Sequence, residues 1–549
     1  MSELFKAMAV ENNCTETENG CPAYKSTLDS LLDLFASGAS CRSDSKRLKS
    51  LVRKAYSEDK LFCIRILFYF RDIRGNGGQG ERNVFREGMK ELIDIDPKTI
   101  CKVLRFIPFY GRWDDLIALY GIERSISNHI AEIIKFQINE DIQKLDKDKP
   151  DISLCTKWLP SCNTSSKHTR AIANKIRREV FGMDEKSYRK MLSRLRKAIN
   201  IIESHLSKKK YEFDYSQVPG QAALKYRKAF ARNDNDRYTE YLNSLAKGKA
   251  KVNSKTLYPY EIVRKVRGTY DDQELALMDQ MWKALPNYFG KDDQANWLAV
   301  VDVSGSMTCY EELPMNCSIS LGLYIAERNM GVFQNKFITF SSEPYLVDLN
   351  PEYNIKQKVS NIEDNPRQGL STNLYAVFEL VLNTATKHHI PKEEMPEVIV
   401  VISDMQFDQQ RWPEHVMNSI KKMFRNSEYE CPKLVYWNVA ADYKANQPVT
   451  KNDEGAIIIN GCKPGMFELI LQGKNPEQFM ESVINSERYK VITINMTLEE
   501  EIKRAENKLY YELPKEEAKA IIAKASKLPK QGRLETLREA YREYTDKEL

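Results

Sequence analysis

Residues 297–307 read WLAVVDVSGSM, an apolar run that stops at Asp302 and continues with Ser304 and Ser306 at alternate positions. Small oxygen-bearing side chains placed like this suit a cation site, a helix cap or a serine nucleophile. Two later segments add to them. QGLSTNLYAVFEL brings Thr372 to the start of a helical stretch, and VVISDMQFD ends a second strongly apolar run at Asp404. Asp302, Ser304, Ser306, Thr372 and Asp404 together supply carboxylates and hydroxyls with no His or Cys. Such a set favours a hard divalent cation, Mg2+ or Mn2+ before zinc. With few carboxylates around it, the metal stays electrophilic and open to a carboxylate from an acidic protein ligand. A helix cap alone leaves the two aspartates on one edge unexplained.

The elements that must position these residues are short and rich in Val and Ile: WLAVVDV (297–303), NKFITFSS (335–342), EVIVVISD (397–404), KLVYWNVA (433–440) and GAIIIN (455–460). Helical stretches separate them, which predicts a doubly wound parallel α/β sheet. Ligands of such sheets lie beyond the carboxyl ends of the strands, where Asp302 and Asp404 fall. Residues 23–290 read instead as helix after helix. Leu61, Ile64, Leu67 and Phe68, then Phe85, Met89 and Leu92, recur at three- and four-residue spacing. A long basic amphipathic helix follows at 186–210, with Met191, Leu195, Ile199 and Ile202 on one side. The expected organisation is a loose tail (1–22), an α-helical repeat domain of HEAT-like, solenoid character (23–290), an α/β domain (291–495) and a helical appendage (496–549). The fold class is mainly α plus α/β.

Charge divides along the same line. Residues 1–290 carry 52 Lys and Arg against 38 Asp and Glu, whereas the remainder carries 31 against 39. Lys167, Arg170, Lys175, Arg177 and Arg178 crowd one segment and are the first candidates for phosphate contacts. Arg74 and Arg112 are further candidates, although Asp72, Glu81, Asp114 and Asp115 offer them internal carboxylate partners. Trp113 and Trp158 are read as packing residues before base-stacking ones. RDIRGNGGQGER matches G-x-G-x-x-G at Gly75, Gly77 and Gly80, but helical periodicity precedes it, so a turn is expected and no nucleotide cofactor.

Several function classes are disfavoured. No apolar run approaches the ~18–20 residues of a membrane span, and the N-terminus lacks a signal-peptide pattern. The 11 cysteines form no CxxC pairs, which argues against zinc ribbons and a disulfide framework and for a reducing, cytoplasmic setting. No His or Lys is placed to activate Ser304 or Ser306, so no catalytic residue is assigned. A metal-dependent phosphoesterase using Asp408 as base ranks third, behind RNA binding and a protein-interaction scaffold.

DVSGSM, GLSTN and ISDMQFD resemble the metal-ion-dependent adhesion site of von Willebrand factor A domains. That resemblance implies that the serines and Thr372 ligate the metal directly or through water, with the two aspartates acting largely from outside the ligating shell. FYFRDIRGNGGQGER, IPFYGRWDDLIALY and LCTKWLPS resemble the helical half of TROVE-related proteins, the Ro ribonucleoprotein autoantigen type. QAALKYRKAFARND is similar to an uncharacterised family with the same two-part layout. Binding of structured or misfolded RNA through phosphates, with a Mg2+-dependent partner contact, is what the resemblance implies.

Overall fold

The computed structural model describes the chain apart from residues 1–11, 75–76, 146, 148–149, 200–201, 255–256, 290–294, 341–342, 365–371, 410–414, 441–445, 496–501, 504, 507–508, 511–512 and 549. Gly75, the boundary near 290 and most of the loop before Thr372 therefore lie outside the described residues. A helical N-terminal region precedes a mixed-sheet domain. Contacts group the chain into two compact units, Met1–Gly88 with His205–Lys490, and Met89–Ser204 with Val491–Leu549. This grouping differs from the sequence division at 290. Helices on both sides of the excursion share the sheet's core, so sequence order and packing part company.

In the first unit, β1 (Cys14–Glu16) and β2 (Pro22–Tyr24) form an antiparallel hairpin within what was expected to be a loose tail. The correction has a physical reason: the hairpin is zipped to β-domain loops, with Tyr24 and Gln447 exchanging backbone hydrogen bonds of 2.9 and 2.8 Å. The main sheet contains β3 (Trp297–Val301), β4 (Lys336–Thr339), β5 (Tyr345–Asp348), β6 (Val398–Ser403), β7 (Lys433–Asn438) and β8 (Ala456–Asn460). Its order is β5-β4-β3-β6-β7-β8. All neighbours are parallel except β4 and β5. β3 and β6 are buried throughout, as continuous apolar runs in a doubly covered sheet require. The antiparallel edge strand β5 was not foreseen.

The Ser30–Ser37 helix joins this core, with Asn460 Nδ2 donating to the Ala36 carbonyl at 2.8 Å. The glycine-rich loop packs here as well. Asp72 is fully buried, and a Cβ on Gly78 would fall 2.4 Å from it. Gly80 has φ +74°, and a Cβ there would fall 1.7 Å from Tyr258 Oη. The chain is close-packed at Gly78 and Gly80, and the lack of space for a Cβ accounts for those two glycines. Gly80→Ala is expected to destabilise by about 2 kcal/mol or more, from the left-handed backbone plus overpacking. Urea unfolding checks this, and a neutral variant would remove the packing explanation. Cys317 and Cys462 form a disulfide across a sequence separation of 145 residues. The cysteine spacing gave no sign of this single bond, because so long a separation leaves no local signature.

The second unit includes the helices Arg124–Lys144, Lys167–Glu179, Glu185–Ile199, Lys515–Ala525 and Lys530–Glu548. The basic helix buries Tyr188, Leu192 and Leu195, while Met191 and Ile199 are only half-buried. Its expected continuation to residue 210 passes through 200–201, outside the described residues; Ile202–Ser207 is again helical. Among the described residues, no helix is long and apolar enough to cross a membrane.

Candidate divalent-cation site and basic surface

β3 and β6 are adjacent and parallel, with Val301 opposite Ile402. Asp302 and Asp404 leave the sheet together at the carboxyl ends of these strands. Asp302 is fully buried, Ser304 is 4 % and Asp404 6 % exposed, and Ser306 is open to solvent. The site thus grades from a buried carboxylate to an accessible hydroxyl. Asp302 Oδ1 accepts from Ser304 N at 2.9 Å, and Oδ2 accepts from Ser403 Oγ at 2.6 Å. Ser304 Oγ and Ser306 Oγ lie 3.1 Å apart. Asp404 Oδ1 accepts from Gln406 N at 3.1 Å. Between these residues Met405 has φ +64°, a left-handed conformation that a non-glycine residue adopts only under tertiary constraint.

Burial, reinforced by the Asp404 charge, pushes the Asp302 carboxyl up to about 6, against opposing hydrogen bonds from Ser403 and Ser304. The largest charge acting on it is the Asp404 carboxylate. Two buried carboxylates that raise each other's cost of ionisation favour a bound cation. No cluster of three or more His, Cys, Asp or Glu is placed to hold a metal among the described residues. The donors at this edge are instead hydroxyls backed by two carboxylates, a set that fits Mg2+ or Mn2+.

Thr372 sits differently. Its Oγ1 donates toward Gln406 O at 2.8 Å and Asp408 Oδ1 at 3.1 Å, and its N donates to Asp408 Oδ2 at 2.6 Å. Hydrogen bonds therefore join Asp302, Ser304 and Ser306, the Ser403 hydroxyl bridges Asp302 to Asp404 at 2.6 and 3.5 Å, and Gln406 links Asp404 to Thr372. Asp408, Gln406 and Ser403 were not assigned to the cation site from sequence. Asp408, four residues after Asp404, was the legible one.

The basic candidates divide. Arg177 Nη1 donates to Met183 O at 2.7 Å, a helix-terminating contact. Arg170 holds Thr164 O while remaining exposed, and Lys175 faces Glu179 at 4.0 Å and the Tyr120 ring. Lys167 and Arg178 are exposed. Arg74 is exposed, with its backbone N bound to Asp72, whereas the Arg112 guanidinium lies 5.5 Å from the Trp158 ring. Trp113 is buried. The neighbouring Glu185–Ile199 helix adds exposed Lys186, Arg189, Lys190 and Lys197, none singled out from sequence.

Two family models match the chain: a domain of unknown function, DUF2828, over residues 17–117 and 122–294, and another, DUF7788, over residues 296–512. The uncharacterized protein L728 of Acanthamoeba polyphaga mimivirus is 32% identical over 506 residues, covering 85% of this chain and 86% of L728. Among solved structures, the RO (RSR) protein of Deinococcus radiodurans aligns at 12% identity and a TM-score of 0.35, over 83% of this chain and 93% of that one. That superposition is too loose to support an argument.

Proposed function

The chain belongs to the family of the mimivirus protein L728, and from that premise we propose that its α/β half is a cation-dependent binding module of von Willebrand factor A type. The observation that carries this is the meeting of Asp302, Ser304, Ser306 and Asp404 at the ends of β3 and β6. Asp302 and Asp404 supply the negative charge behind the site, and Ser304 and Ser306 present oxygen donors toward solvent. Mg2+ or Mn2+ held there would provide an electrophilic centre for a carboxylate oxygen of an acidic protein ligand. The module is read as a binder because Ser304 Oγ and Ser306 Oγ lie 3.1 Å apart, a pair of oxygens suited to holding a cation. Calorimetric titration of the full chain with Mg2+ tests the reading, with Asp302→Asn as the blank. No uptake by the wild type sinks it.

A second reading, RNA binding by the helical part, is favoured by the exposed basic residues of the two helices Lys167–Glu179 and Glu185–Ile199. Lys167, Arg170, Arg178, Lys186, Lys190 and Lys197 are all solvent-facing. Phosphate contacts would make affinity fall steeply with salt. Changing Lys186, Lys190 and Lys197 to Glu is expected to weaken binding to a structured RNA and to reduce the salt slope by about one unit for each phosphate no longer neutralised. Filter binding across a salt series checks this. Salt-independent or undetectable binding by the wild type leaves the protein-interaction scaffold in its place.

A further inference from the structure

The hairpin of β1 and β2 does more than pack beside the α/β domain. Its tip, residues 17–20, runs along residues 406–409, the segment that follows Asp404. Thr17 Oγ1 donates to Phe407 O at 2.7 Å, Glu18 N to Gln406 Oε1 at 2.8 Å, and Gln409 N to Asn19 O at 2.9 Å. The Asn19 amide reaches furthest. Its Nδ2 donates to Gln406 O at 2.9 Å and to Asp408 Oδ1 at 3.1 Å. Those are the same two oxygens that accept from Thr372 Oγ1.

We infer that the N-terminal hairpin is a working part of the cation site, with Asn19 as a positioning residue that orients Thr372 through Gln406 and Asp408. The inference rests on the cation-binding reading of this edge. A hydroxyl that ligates a cation offers an oxygen lone pair and must point its single proton away, toward a fixed acceptor. Thr372 has one proton and two acceptors. The two N–H bonds of the Asn19 amide hold both acceptors in place, so the hydroxyl proton has a defined partner and the lone pairs a defined direction. Groups that bond a metal ligand, here Gln406 O and Asp408, typically change metal affinity when disturbed, and Asn19 acts one step further out by holding them.

The hairpin does not depend on Asn19 for its docking. Thr17 and Glu18 keep their own bonds, Asn446 Nδ2 donates to Glu16 O at 3.1 Å, and the Tyr24–Gln447 pairing holds the far end. Removing the amide therefore tests positioning separately from docking.

The experiment compares wild type, Asn19→Ala, Thr372→Ala and the double variant as full chains. Mg2+ affinity is measured by calorimetry and the melting temperature in EDTA by circular dichroism. Asn19→Ala is expected to weaken Mg2+ binding by a few-fold, less than loss of a group bonded to the ligand itself, with little change in the EDTA melt, and the double variant to bind no worse than Thr372→Ala alone. Wild-type affinity in Asn19→Ala, with Asp302→Asn inactive, overturns the positioning role and leaves the cation site standing. A lowered EDTA melt at unchanged Mg2+ affinity makes the hairpin merely structural and also overturns it. Additive losses in the double variant exclude action through Thr372. A wild type that binds no Mg2+ removes both readings.

Discussion

Asp302→Asn is expected to abolish any thermal stabilisation that Mg2+ confers through the site proposed at the ends of β3 and β6 and, in EDTA at neutral pH, to raise the melting temperature above that of the wild type. The two halves of this result have one cause. Asp302 is fully buried against Asp404, and its carboxyl is pushed up to about 6 by burial and that neighbouring charge. Without metal, burial and the neighbouring Asp404 carboxylate therefore disfavour an ionised Asp302, and a divalent cation would offset that cost. With Mg2+ at a hundred times its dissociation constant, the expected gain is about 2.7 kcal/mol. Asparagine keeps an oxygen to accept from Ser304 N at the 2.9 Å position and removes the charge. Alanine is the poorer test, because the Ser304 and Ser403 donors would lose their acceptors at a cost of about 1–3 kcal/mol each. Differential scanning fluorimetry with and without Mg2+ measures both halves. A Mg2+-dependent shift retained in the Asn variant would remove Asp302 from the site.

The second large effect lies in the glycine-rich loop. Arg488→Met is expected to destabilise the first unit by about 3–5 kcal/mol, because it leaves the fully buried Asp72 without its main counter-charge. Arg488 grips Asp72 through Nε and, at 2.8 Å, through Nη2, and Tyr489 Oη donates to Asp72 at 3.1 Å. Asp72 in turn accepts from Arg74 N at 2.9 Å, fixing the start of the loop. Arg488→Lys keeps the charge but loses the planar fork, so its loss should be intermediate. Guanidinium denaturation ranks the variants, and limited proteolysis across residues 72–80 reports on the loop. A Met variant within 1 kcal/mol of wild type would mean that this ion pair does not anchor the loop.

Strands β3, β4, β6, β7 and β8 were legible because burial on both faces favours unbroken apolar runs, and the ends of β3 and β6 carried Asp302 and Asp404 to one edge. The edge strand β5 was not legible. It alternates half-buried, exposed, buried and exposed residues over only four positions, a pattern that a polar loop shares. The hairpin strands are three residues each and polar in part; they exist because Gln447, Phe407 and Gln406 offer backbone and side-chain partners.

What the sequence by itself determined is the local chemistry: strand, carboxylate, spaced hydroxyls, and a helical half rich in Lys and Arg. Local spacing dictates those properties, so a reader of the chain recovers them. Only the tertiary structure decided which groups share a proton or a charge. It paired Cys317 with Cys462, Arg488 with Asp72, and Asn19 with the acceptors of Thr372. Each pair spans more than a hundred residues, and a hydrogen bond or disulfide at that separation leaves no periodicity behind.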